Sequence, residues 1–325
     1  MAGGAAQSCP LHECKQRAIM TSLKPASASV PAMAWFGDGL RPLNTLALNP
    51  ADRGLLLGDG LFETVRVHQG HMDWAALHEE RMRQGCGLLN MPALPAGRFM
   101  AALNATRAAN QVLEGSLRLT WTRGPAARGL VPPSPERCQP TLLITASHSV
   151  GAPSAKPGLR APATIMVARQ RRDADSILAQ VKSLSALPAV VARLEAHQAG
   201  CDDALMANHH GQLAEATAAN LVALMGERLT TPPLHDGALP GTSRARLLQR
   251  GLVVEGSCTE ATLAQARGLW LVNALGITPV RAWRDGQGRT HDLPLPGTIT
   301  EKLRHFLYDR PKSLPNGAAG LPTPF

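Results

Sequence analysis

Near its middle the chain runs through GAPSAKPGLRAP, residues 151–162, a stretch that suits neither a helix interior nor a central strand. Patterned segments resume on both sides, so the break divides the chain. It predicts a small N-terminal α/β domain at 35–150, a linker at 151–160 and a larger C-terminal domain at 161–310. With 325 residues and 44% hydrophobic content, the chain can bury a sizeable core. Residues 1–34, rich in Ala, Ser, Pro and Gly, read as a disordered leader, and 311–325 read as a flexible tail.

Before the break, MAWFGDGLRPL and GLFETVRVHQGHMD have strand character. Phe62, Thr64 and Arg66 alternate with Val65 and Val67, and HQGH reads as a hairpin turn. DWAALHEERMRQGCGLL repeats Trp74, Leu77, Arg81/Met82 and Gly85 at helical spacing, with Asp73 as its N-cap. A second helix is expected over 97–112, followed by the strands GSLRLTWTRG and PTLLITASHSV. After the break come the strand TIMVAR, a helix over about 187–199, and a strand–turn–strand in DDALMANHHGQLAEA. Next are a hairpin turning at Gly226, a helix after Pro240-Gly241, a strand followed by a loop in LWLVNALGITPV, and a closing helix in GTITEKLRHFLYDR. Hairpins mixed with helices, without strict βαβ alternation or internal repeat, predict an α+β (two-lobed α/β) fold.

The net charge of +9 raises nucleic acid as a partner. However, the Lys and Arg residues are dispersed, and 3% aromatic content offers few stacking platforms. No nucleic acid is therefore expected, and an anionic small substrate accounts for the charge as well. No window approaches eighteen apolar residues, so no membrane span is expected. Six scattered cysteines suit a reducing cytoplasm. CPLHEC at 9–14 lacks a second ligand pair, so no metal is assigned to it.

Lys182 is the only lysine between residues 181 and 224 and has Ile177, Leu178, Val181, Leu184 and Leu187 nearby in the chain. Burial favours the neutral amine, a nucleophile able to form Schiff bases. The alternative is a snorkelling side chain with its stem on apolar surface. Glu215 follows with no positive residue near it in sequence. It reads either as a surface carboxylate at a strand end or as a partner for a cationic ring nitrogen. Thr242 and Ser243 stand at an expected helix start, suiting an anion seat or ordinary capping. Taken together, an imine-forming lysine, a lone carboxylate and a phosphate-sized seat point to pyridoxal 5′-phosphate.

DRGLLLGDGLFETVRV, HEERM, TRGPAARGL, VKSLSAL, GCDDAL, GQLAEATAANL, TPPL, LPGTSR and VNALGITPV occur in this order. In these motifs, from about Trp35 to Arg310, the chain resembles the fold type IV pyridoxal-phosphate enzymes, also known as the class IV aminotransferase family. The resemblance implies that Lys182 carries the cofactor as a Schiff base and that Glu215 faces the pyridine nitrogen. It also implies that Arg81 grips the phosphate, with Thr242 and Ser243 seating it. Ala274 stands where many relatives have a hydroxyl for the phosphate, and Ser185 where an asparagine is frequent. Thr64 in GDGLFET, Leu57 before GDG and the Asn273-Ala274-Leu275 loop resemble the 4-amino-4-deoxychorismate lyases within the family.

That branch implies substrate contacts from Arg118, Arg128 and Asn273, with Thr64 beside the catalytic lysine. It implies folate biosynthesis, with 4-aminobenzoate and pyruvate as products. The alternative within the family is an aminotransferase acting on D- or branched-chain amino acids. The resemblance further implies a homodimer in which Arg128 reaches the neighbouring subunit's site.

Overall fold

The computed structural model describes residues 32–149 and 156–309. The CPLHEC segment, nearly all of the expected leader, part of the linker and the tail lie outside these residues. Met33 and Ala34, assigned above to the leader, instead belong to the first strand, where Met33 bonds through its backbone to the Asn110 side chain.

The first half builds β1 (Met33–Phe36), β2 (Gly39–Pro42), α1 (Arg53–Leu57), β3 (Gly60–His68) and β4 (His71–Met72). It continues through α2 (Ala75–Leu88), α3 (Arg98–Ala109), β5 (Gly115–Thr122) and β6 (Thr141–His148). Its six strands form one antiparallel sheet in the order β2-β1-β6-β5-β3-β4. The helices α2 and α3 cover it, enclosing Leu61, Val65, Phe99, Leu103, Leu117 and Ile144. The hairpin expected at HQGH forms with φ of 50° at Gln69 and 74° at Gly70, the two-residue turn that matches strand twist.

Along β3 the face packed on α2 carries Leu61, Val65 and Val67, and Glu63 lies on that face too. Phe62 and Thr64 turn to the opposite, half-buried side. Asp73 does not cap α2. Trp74 occupies that position in the left-handed conformation, without a side-chain cap, because the Asp73 carboxylate pairs with Arg66 at 2.6 Å.

The second half contributes β7 (Ala163–Val167), α4 (Leu187–Gln198), β8 (Asp203–Ala207), β9 (Leu213–Ala216), β10 (Asn220–Met225) and β11 (Arg228–Thr231). After these come α5 (Thr242–Gln249), β12 (Val254–Glu255), α6 (Glu260–Leu263), β13 (Leu269–Asn273), β14 (Gly276–Arg284), β15 (Thr290–Asp292) and α7 (Gly297–Tyr308). They form a nine-stranded mixed sheet in the order β12-β11-β10-β13-β14-β7-β8-β9, with β15 on β14. Trp270 and Trp283 are wholly buried in its cores.

The segment GITPV, expected as a loop, is the start of central strand β14. Pro279 is tolerated there because Ile277, of the same parity, directs its N–H to Gly158 rather than to β13. On that side pairing with β7 begins only at Val280, so the missing N–H costs no ladder bond. Among the described residues no helix is long and apolar enough to cross a membrane. None of their His, Cys, Asp and Glu residues gather in a group of three or more able to hold a metal ion.

Candidate active site

The segment carrying Lys182 is irregular in sequence but held on both sides. Phe62 N donates to Lys182 O at 3.0 Å and Leu184 N to Gly60 O at 2.9 Å, stitching 182–184 to the start of β3. This brings the ammonium to the outward face of β3, 4.4 Å from the Phe62 ring centroid. Arg118 reaches the same ring from β5, at 3.9 Å, and pairs in register with Thr64. Lys182, Thr64 and Arg118 therefore meet around Phe62.

Burial pushes the Lys182 amine down to about 8, and the positive charge of Arg81 adds to this, while Glu63 and Glu215 act in the opposite direction. The unfolded chain, with a lysine near 10.5, binds more protons than the folded one between these two values. The cost of burying the ammonium is thus full below pH 8 and fades as pH approaches 10.5. In the cofactor-free protein, Lys182→Met should raise stability by about 3 kcal/mol below pH 8 and by little above pH 10.5. Urea titrations of both proteins at pH 7 and 10.5 check this, and coincident midpoints at pH 7 would contradict it.

Arg81 projects from α2 and is buried. Its Nε donates to Glu63 Oε1 at 2.7 Å, its Nη2 to Glu63 Oε2 at 2.6 Å and its Nη1 to the Pro240 carbonyl at 3.1 Å. Of five guanidinium N–H groups, two remain for an anion. His78, one helical turn earlier, places Nδ1 2.6 Å from Glu63 Oε2. Burial alone would raise the Glu63 carboxyl, but Arg81 and His78 outweigh it and hold the group at about 2. Burial also lowers His78, which favours a neutral ring donating Nδ1–H to the carboxylate.

Glu63 was missed at the level of sequence, although a signal was present. It stands two residues from both Leu61 and Val65, in the buried phase of an alternating strand, where a carboxylate requires a buried partner.

Glu215, on β9, is buried, and its apparent isolation is corrected by the structure. Arg172 Nη2 lies 2.9 Å from Oε1, while Leu239 N donates to Oε2 at 2.9 Å and Asn220 Nδ2 at 3.3 Å. Forty-three positions separate Arg172 from Glu215, so the pairing exists only in the folded chain. Glu215 lies close enough to act on the Lys182 charge.

Thr242 and Ser243 open α5 as expected, but neither caps it. Gly241 is the N-cap, and Ser243 Oγ donates to Asn273 O at 2.9 Å, an oxygen shared with the Tyr308 hydroxyl at 2.7 Å. The amides of Thr242, Ser243 and Arg244 precede the first helical bond, from Ala245 N to Gly241 O. Arg81, bonded to Pro240, abuts this helix start. Two spare guanidinium N–H groups, free amides at a helix N-terminus, a largely neutralisable amine and a buried carboxylate fit pyridoxal 5′-phosphate.

Asn273 is committed to the β13–β14 turn. Its Oδ1 accepts from Leu275 N and Gly276 N, and its Nδ2 donates to Ala218 O. Ala274 sits half-buried in the same turn. Ser185 approaches Gly58, with Oγ 3.5 Å from its carbonyl. Arg128 is exposed on a loop that Arg53 secures by donating to Gly129 O and Leu130 O.

The amino-transferase class IV family model matches residues 60–283, from the start of β3 nearly to the end of β14. A Methanocaldococcus jannaschii protein, named a putative branched-chain-amino-acid aminotransferase, is 29% identical over 79% of this chain and 89% of its own. The Mycobacterium tuberculosis bifunctional aminodeoxychorismate lyase / D-amino acid transaminase is 28% identical over 74% of this chain and 86% of its own. The solved 4-amino-4-deoxychorismate lyase of Pseudomonas aeruginosa is 30% identical, with a TM-score of 0.67 over 83% of this chain and 96% of that one. Since the matched region takes in Lys182, Glu215, Arg81 and the start of α5, the chain belongs to class IV of the aminotransferases, enzymes of fold type IV that depend on pyridoxal 5′-phosphate.

Proposed function

We propose that the protein is a 4-amino-4-deoxychorismate lyase, forming 4-aminobenzoate and pyruvate in folate biosynthesis. The observation that carries this reading is the pairing of Lys182 and Arg118 across Phe62, with Thr64 alongside. It sets a second cation near the basic amine, suited to a substrate with two carboxylates. The lyase names borne by the Pseudomonas and Mycobacterium relatives support the same reading.

Bound pyridoxal 5′-phosphate supplies an electron sink for charge developing on the substrate. Lys182 Nζ, with its basicity lowered by burial, takes the C4 proton as general base. The C–H electron pair enters the ring, the bond to the enolpyruvyl oxygen breaks, and the departing enolpyruvate takes up a proton to become pyruvate. Glu215 holds negative charge toward the pyridine nitrogen, and Arg81 with Thr242 and Ser243 anchors the phosphate. Arg118 orients a substrate carboxylate, and Thr64 positions the lysine.

Arg128 serves from the partner subunit of a homodimer. The exposed Leu56, Leu57 and Leu130 line one cavity together with Arg128, which is consistent with such a contact. Asn273 contributes through the turn it builds.

The decisive experiment incubates the holoenzyme with 4-amino-4-deoxychorismate and measures 4-aminobenzoate and pyruvate together. Equimolar formation is expected. Amino-group transfer from D-alanine or branched-chain amino acids, without 4-aminobenzoate, would replace this reading with the aminotransferase one. The Methanocaldococcus relative favours that alternative by its name. Within the lyase reading, Arg118→Met should raise KM for the substrate about 10- to 100-fold, the loss of a charge-assisted hydrogen bond. An unchanged KM would remove Arg118 from the substrate site.

A further inference from the structure

Glu63 stands out among the charged groups near Lys182 because none of the roles above employs it. It occupies a core position on β3, where an apolar residue would pack without the cost of burying a charge. Its two oxygens receive three donors. Oε1 takes Arg81 Nε, while Oε2 takes both Arg81 Nη2 and His78 Nδ1. Arg81 in turn uses its third anchored N–H on Pro240 O, the carbonyl just ahead of α5. The guanidinium plane is thereby fixed at three points, two on the first sheet and one on the loop leading to α5. A long, flexible side chain without these anchors would bring its donors to an anion only after losing rotamer freedom.

We propose that Glu63 is a positioning residue which, with His78, clamps Arg81 between β3 and Pro240 so that its two unspent N–H groups are presented to the phosphate of the cofactor. This concerns cofactor capture and holds whichever reaction the site performs. The fork is selective because planar paired donors match a phosphate. The Glu63 charge also acts against that of Arg81 beside Lys182, so part of the push that Arg81 exerts on the amine is offset.

The test compares binding of pyridoxal 5′-phosphate with that of pyridoxal, which lacks the phosphate, to the cofactor-free protein. The readout is the absorbance of the bound chromophore and not turnover. Glu63→Gln should weaken pyridoxal 5′-phosphate about 10- to 100-fold while leaving pyridoxal within about 3-fold. The doubly substituted E63Q/R81M protein should bind no more weakly than R81M, because Glu63 acts through Arg81.

Equal weakening of both ligands, no weakening, or additive losses in the double variant would each overturn the proposal. Should E63Q fail to fold, His78→Leu removes one of the two donors on Oε2 and is expected to give a smaller loss with the same selectivity. Absence of selectivity there would likewise overturn the proposal.

Discussion

Lys182→Ala is expected to lower turnover by about 10²- to 10⁴-fold or more, the scale of a lost general base, and to abolish the visible band of the Schiff base. At pH 7 a lysine near 10.5 is neutral in fewer than about one molecule in a thousand, whereas one near 8 is neutral in about a tenth. Burial, with the charge of Arg81 nearby, thus prepares the amine before cofactor or substrate arrives. The sign of the pH dependence follows from this. Cofactor capture by the cofactor-free protein should rise about tenfold per pH unit up to pH 8 and level above it. Stopped-flow absorbance from pH 6 to 9.5 measures the profile. Turnover of the alanine variant within tenfold of the parent would exclude Lys182 from the reaction.

Glu215→Ala should destabilise the protein by about 2–3 kcal/mol as well as lower turnover. The substitution strands Arg172, whose other donors go to Gly237 O at 2.7 Å and Ala179 O at 3.3 Å, and it leaves Leu239 N without its acceptor. The Arg172 side chain keeps 21% of its exposure, so water softens the loss and the lower end of the range for a broken buried pair applies. Glu215→Gln keeps the shape and the acceptor for Leu239. With its oxygen on Leu239 its NH2 faces the Arg172 donor, so it should recover only part of the stability, and it remains impaired in turnover, since the fixed charge opposite the ring nitrogen is gone. Urea unfolding and steady-state assays of the two variants separate these effects. Equal stability losses in both would locate the whole stability defect in the lost charge, with nothing contributed by shape or by the acceptor for Leu239.

The contrast between Glu215 and Arg172 shows what the sequence makes legible. A lone lysine among aliphatic neighbours and a carboxylate in GQLAEA stand out locally, so Lys182 and Glu215 could be singled out. Arg172 sits in RQRRDADS, where its neighbours in sequence are themselves charged, and only folding selects it over Arg171. α1 escaped notice because five residues give no helical period. β14 escaped because Gly276 and Pro279 weigh against a strand until one knows which edge the proline faces. Asn273 shows a different limit. Its residue type suits a substrate contact, yet the fold commits its amide oxygen to a turn and directs its Nδ2 to Ala218 O.

The two backbone bonds that stitch Lys182 to β3 carry a consequence for motion. Any opening of the protein that parts residues 182–184 from β3 must break Phe62 N to Lys182 O and Leu184 N to Gly60 O together. The amide protons of Phe62 and Leu184 should therefore exchange with solvent deuterium on the slow timescale of the neighbouring strands, although 182–184 lies outside any strand or helix. A hinge that admits substrate then has to bend elsewhere, leaving the amine and the Phe62 ring to travel as one piece.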